Sequence, residues 1–98
     1  MLLEQGPFSV VGEAADAASG LLAAKRLHPD VVLLDIVLPD QDGFAILDAL
    51  LDAPIPPAVV LMSTRDESDY GDRVAGSGAK GFIQKARLGV PALDELLR

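Results

Sequence analysis

The chain has no cysteine. That excludes a disulfide framework and a thiolate metal site, and it is compatible with a cytoplasmic location. Basic residues are scarce: 8 Lys and Arg stand against 15 Asp and Glu, a formal net charge of -7. Such a balance disfavours nonspecific binding to nucleic acid or to an anionic membrane. It suits a soluble protein that docks basic partners or holds a cation, and it equally suits plain solubility. No apolar run is long enough to span a bilayer. Met1-Leu2-Leu3-Glu4 has neither the basic start nor the long apolar stretch of a signal peptide. Internal repeats and low-complexity tracts are absent as well. What is present is 98 residues, 50% of them hydrophobic, which suffices for one small core and one domain over 1–98.

The run Val31 to Pro39 is apolar except for one carboxylate, Asp35. A β-branched and leucine run of this length predicts a strand buried on both faces, as in parallel sheets. An ionised aspartate is tolerable only near the carboxyl end of such a strand, where open α/β sheets place their ligand sites. Pro39 ends the ladder and Asp42-Gly43 turns the chain, so Asp35 falls near that end.

Further strands are predicted at Phe8 to Val11, Ala58 to Met62 and Gly81 to Lys85. Asp16 caps a helix Ala17 to Leu27, with Ala17, Leu21, Ala24 and His28 on one stripe. A second helix, Phe44 to Asp52, presents Phe44, Leu47 and Leu51 on one face. A third helix from Asp66 to about Ser77 is poor, because Gly71 and Gly76 each cost about 1 kcal/mol against alanine. Pro91 fits the first turn of a last helix, with Leu93, Leu96 and Leu97 packing inward. Strands alternating with helices predict an α/β fold, a parallel sheet with helices on both faces.

Asp35, Ser63 and Lys85 fall at the carboxyl ends of three apolar strands, which share one edge of a parallel sheet. Carboxylate, hydroxyl and ammonium suit the movement of a phosphoryl group. The carboxylate can accept it, and the hydroxyl and ammonium can bind its oxygens through bonds of roughly 1.5–3 kcal/mol each. Singly, each has a plain structural explanation: Ser63 as the cap of the next turn, Lys85 as a solvated strand-end charge, Asp35 as the cap of the turn before Pro39.

The chain resembles the receiver domain of bacterial two-component response regulators. The matching pieces are Val-Val-Gly-Glu-Ala at 10–14, His-Pro-Asp-Val-Val-Leu-Leu-Asp at 28–35, Leu-Pro at 38–39, Asp-Gly at 42–43, Val-Val-Leu-Met-Ser at 59–63 and Gly-Ala-Lys-Gly-Phe-Ile-Gln-Lys at 78–85. The resemblance implies a flavodoxin-like three-layer αβα sheet of order 2-1-3-4-5. It implies that Asp35 accepts phosphate from a histidine kinase, with Ser63 as the switch hydroxyl, Lys85 as the lysine that binds the phosphoryl group, and Phe82 as the aromatic switch. Phe82 is equally well explained as an ordinary core aromatic. Magnesium is implied at Asp35 and the backbone carbonyl of Val37. Thr64, Arg65, Asp66 and Glu67 would line the mouth of the site, and the last helices and strand would form the signalling face. Ala86 stands where many relatives carry proline.

Two family elements are missing from this pattern. The first strand, ending in an acidic pair that holds magnesium, has no counterpart, and Met1 to Gln5 reads as only the end of the first helix. Glu13 and Asp16 are poor stand-ins for the pair, so magnesium binding should be weak and phosphorylation impaired. Four strands are therefore expected, with the central one absent. Its loss removes two hydrogen-bond ladders and several core side chains, a sum comparable to a whole domain's stability of about 5–15 kcal/mol. The domain is expected to be incomplete at its N-terminus, with a natural start further upstream, or to fill the gap differently. It would then bring the Phe8 strand beside Val31–Leu38 or pair the open edge with a second chain.

The expected function is that of a phosphoacceptor signalling domain, with a non-phosphorylated pseudo-receiver or dimerisation module as the alternative. The expected partners are a histidine kinase and, through the open edge or the last two helices, a second copy; nucleic acid and membrane are not. An enzyme with an aspartyl nucleophile is disfavoured, because its general acid would stand at position 37, which is Val.

Overall fold

The computed structural model describes residues 2–5, 9–89 and 91, with side chains from residue 12 onward. The elements are β1 (Leu2–Gln5), β2 (Ser9–Glu13), α1 (Ala17–Leu27), β3 (Val31–Asp35), α2 (Gly43–Leu51), β4 (Ala58–Ser63) and β5 (Gly81–Gln84), with short 3-10 segments at Glu67–Arg73 and Lys85–Arg87. They form an α/β fold whose five strands lie in the order β2-β1-β3-β4-β5.

The right half of this sheet follows the sequence closely. β3 pairs in parallel with β4, Val31 opposite Ala58 through Asp35 opposite Met62. β4 pairs in parallel with β5, Val60 opposite Gly81 through Ser63 opposite Gln84. Because side chains alternate along a strand, each strand feeds two cores. Val32, Leu34, Ile36, Val59 and Leu61 pack with Ala17, Ile46, Leu47 and Leu50 of the helices. Val31, Leu33, Val60, Met62 and Ile83 form the second cluster on the opposite face. This explains why β3 and β4 read as continuous apolar runs: both faces are dry.

The predicted strand Val31 to Pro39 is shorter than expected. The ladder stops at Asp35; Ile36 is still buried, but Val37 is 74% exposed. Val37 instead makes an isolated bridge with Asp42, which closes the loop around Pro39. Asp35 therefore ends its strand outright.

The left half corrects the sequence reading. Leu2–Gln5, expected as a helix end, is a strand, and the sheet has five strands rather than four. It lies between β2 and β3 and runs antiparallel to both. It pairs with β3 as Leu2 opposite Leu33, Leu3 opposite Val32 and Glu4 opposite Val31. It pairs with β2 from Leu2 opposite Glu13 to Gln5 opposite Ser9, with a shift in register after Leu3. Leu, Glu and Gln favour helix intrinsically, but only by tenths of a kcal/mol per residue. Two rows of unpaired backbone groups on β2 and β3 outweigh that preference. β1 fills the gap, so β2 does not lie beside β3.

Both helices start as predicted. Asp16 caps α1, its carboxylate accepting from the Ser19 amide at 2.8 Å, and Asp42 caps α2, accepting from the Phe44 amide at 2.8 Å. α1 ends at His28, which takes the left-handed conformation at φ 47° before Pro29. His28 is exposed there and does not continue the buried stripe. The predicted third helix is only the 3-10 segment Glu67–Arg73, broken at Gly71, whose φ of 59° is non-helical. The predicted last helix lies outside the described residues beyond Pro91.

Candidate functional site

The carboxyl ends of β3, β4 and β5 form one edge, and the three residues singled out from the sequence lie along it. Lys85, one residue past β5, places Nζ 2.6 Å from Oδ1 of Asp35. The Asp35 side chain is 20% exposed and that of Lys85 44% exposed, so the pair opens to solvent. Lys85 is the only partner of the Asp35 carboxylate among the described residues. By strand alternation both side chains belong to the parity of the second cluster, after Leu33 and Ile83.

Ser63 ends β4 with the parity of Val59 and Leu61, which face the helices. It is buried, at 5% exposure. Its Oγ lies 2.6 Å from the hydroxyl of Tyr70 and accepts from the Arg65 amide at 3.1 Å. Asp35 and Lys85 are thus brought into direct contact, whereas Ser63 sits on the neighbouring strand with other partners. Phe82 is half-buried against the helix-side core, its ring centroid 6.1 Å from that of Tyr70. Thr64, Arg65, Asp66 and Glu67 are exposed where the chain leaves β4, and the Thr64 carbonyl accepts from the side-chain Nε2 of Gln84 at 3.4 Å. Ala86 lies in the 3-10 turn after Gln84.

Three residues that hold this edge in place were not singled out from the sequence. Gly43 donates its amide to the Ile36 carbonyl at 2.7 Å. A Cβ there would stand 2.4 Å from the Asp35 carbonyl oxygen and 2.6 Å from the Ile36 Cα. Only glycine lets α2 start this close to the end of β3. The Asp42-Gly43 pair, which reads as a turn that opens the second helix, is the available signal. Asp40 accepts from the amides of Ala17 at 2.8 Å and Ala18 at 3.2 Å, tying the loop after β3 to the start of α1. Tyr70 is the third; nothing in its spacing from Ser63 marks the contact.

Two acidic residues near this edge, Asp16 and Asp42, already have work. The Ser19 hydroxyl, then the Ser19 amide, hold the Asp16 carboxyl below its usual range. The Phe44 amide, opposed by burial and assisted by Arg73, does the same for Asp42. Arg73 forms an ion pair with Asp42 at 3.1 Å and lies 4.2 Å over the Phe44 ring. Among the described residues no three acidic or histidine side chains gather as a metal-holding group. The reversed direction of β1 explains part of this. Glu4 lies opposite Val31, four residues down β3 from Asp35, a separation of about 13 Å. Glu13 is level with Leu33 but two strands away, about 10 Å. The described donor set does not fit the magnesium ion expected from the sequence.

Comparison with known proteins decides the family. The family model of the response regulator receiver domain matches residues 1–96. The chain belongs to the response regulator receiver family.

The receiver is 41% identical over 90 residues to protein-glutamate methylesterase/protein-glutamine glutaminase 6 of Anaeromyxobacter dehalogenans, covering 90% of this chain and 25% of the relative. It is 26% identical over 84 residues to the DNA-binding transcriptional activator EvgA of Escherichia coli, covering 86% of this chain and 41% of that protein. It thus spans less than half the length of these curated relatives. Among solved structures, the signal receiver domain of the response regulator NarL from Mycobacterium tuberculosis superposes with a TM-score of 0.74 at 34% identity, covering 91% of this chain and 75% of that one. The response regulator domain of Thermotoga maritima CheB matches with a TM-score of 0.74 at 28% identity, covering 93% and 75%. The flavodoxin-like α/β class expected from the sequence holds, and with it a place in two-component signalling. No helix among the described residues is long and apolar enough to cross a membrane.

Proposed function

We propose that this receiver accepts a phosphoryl group on Asp35 from the phosphohistidine of a histidine kinase, in the cytoplasm, and signals without being an enzyme itself. One observation carries the reading: the ammonium of Lys85 lies 2.6 Å from the Asp35 carboxylate at the carboxyl ends of two parallel strands. A carboxylate oxygen attacks phosphorus, the P–N bond breaks, and the imidazole leaves and takes a proton from solvent. The product is an acyl phosphate on Asp35. Lys85 then has a phosphoryl oxygen to neutralise, a charge-assisted bond of roughly 1.5–3 kcal/mol. Ser63 donates to a second oxygen, and Phe82, packed behind Tyr70, moves inward as the hydroxyl leaves its place. Acetyl phosphate with magnesium should label the folded protein with hydroxylamine-labile phosphate, and Asp35→Asn should abolish the label. Absence of label on folded wild-type protein would contradict the proposal.

A second reading is supported by the lack, among the described residues, of a group of acidic side chains around Asp35. On it the domain is a non-phosphorylated pseudo-receiver that works by self-association. Sedimentation would then give an oligomer unchanged by magnesium or beryllofluoride. A monomer would sink it.

A further inference from the structure

The Ser63 hydroxyl has one proton and, in this structure, two partners that keep it from Asp35. Its oxygen accepts from the Arg65 amide at 3.1 Å and shares a 2.6 Å hydrogen bond with Tyr70. If Ser63 is the donor in that bond, its proton is spent. If Tyr70 is the donor, the oxygen accepts twice, from Arg65 just before the 3-10 segment and from Tyr70 within it. Either way the hydroxyl is fixed on the helix-side face, while the Asp35–Lys85 pair follows the parity of the other face.

Tyr70 is itself held firmly. Its ring stands edge-on to Phe44, centroids 6.2 Å apart, and tilted against Phe82 at 6.1 Å. Arg73 lies over the Phe44 ring at 4.2 Å and is anchored on Asp42. A row of side chains thus runs from the α2 cap to the buried end of β4.

We infer that Tyr70 is a positioning residue that latches Ser63 in the unphosphorylated state, so that Tyr70 and a phosphoryl group on Asp35 compete for one hydroxyl. The inference rests on the Asp35 phosphoacceptor reading. Release of Ser63 frees the Tyr70 hydroxyl and loosens its ring against Phe44 and Phe82, which carries the change to the exposed 3-10 segment. Phe82 alone, the residue expected from the sequence, has no polar atom with which to hold Ser63.

Tyr70→Phe removes the hydroxyl and keeps the ring. At fixed acetyl phosphate and magnesium, its labelling should exceed wild type by roughly two- to tenfold, the worth of one hydrogen bond. The gain should vanish when Ser63→Ala is added, because no latch remains to release. Equal labelling of Tyr70→Phe and wild type overturns the latch, and so does a gain that persists without Ser63. If no variant takes label, the Asp35 reading fails, and the latch is decided without phosphate. Tyr70 is the only tyrosine, so its hydroxyl-bearing ring carbon gives a single NMR signal. A shift of that signal in Ser63→Ala supports the contact; an unmoved signal overturns it.

Discussion

The two halves of the sheet are built on different terms. β3, β4 and β5 run parallel, and Val32, Leu34, Val59, Val60 and Leu61 are at most 1% exposed. β1 and β2 run antiparallel to each other, and β1 pairs with β3 over only three positions. The parallel half carries Asp35, Ser63 and Lys85 together at one edge. On the other side, the slot between β2 and β3 is filled by a strand whose direction sets its one acid, Glu4, toward the opposite edge. Closing a sheet and building a site are separate requirements. Any strand of either direction satisfies the backbone hydrogen bonds, but only one direction delivers its last residues to the phosphoacceptor edge.

The largest expected effect is in the parallel half. Leu34→Ala removes a fully buried side chain from the helix-side core and should cost about 2–5 kcal/mol in denaturant unfolding. Leu3→Pro, in the centre of β1, removes a ladder donor on a strand paired on both sides. It should cost about 1–3 kcal/mol. A larger loss than Leu34→Ala would show that the reversed strand, and not the parallel ladder, dominates stability.

Much of the parallel half is legible in the sequence. Runs such as Val-Val-Leu-Leu before Asp35 and Val-Val-Leu-Met before Ser63 state both burial and the position of the strand end. Asp16 and Asp42 announce their helices. β1 is not legible, because four residues of Leu, Glu and Gln carry no strand signal and become a strand only when a slot exists beside them. The end of β3 is not legible for a related reason: Val37 and Leu38 continue the apolar pattern, yet the loop held by Asp40 and Gly43 has already left the ladder. Tyr70 is not legible because it meets Ser63 from an irregular 3-10 segment, where no helical period applies.

The smallest effect sharpens the comparison at the site's rim. Asp42 caps α2 and pairs with Arg73, both half-exposed. Asp42→Ala should cost about 0.5–2 kcal/mol at neutral pH, as for other N-caps. The folded carboxyl titrates below its ordinary 3.8, so its contribution is complete above that value and is lost as pH falls through the lower folded value. The stability gap between wild type and Asp42→Ala should therefore close in acid. A gap constant with pH would mean that the carboxylate charge is not what holds the cap.

The claim on which the rest depends is that Asp35, with no acidic group gathered around it among the described residues, takes the phosphoryl group. Borohydride reduction of the acyl phosphate after treatment with acetyl phosphate marks the acceptor directly, by converting its aspartate to homoserine. Peptide mass analysis should find homoserine at position 35 and at no other aspartate. Homoserine at Asp40 or Asp42 instead, or none in the folded protein, would contradict the account.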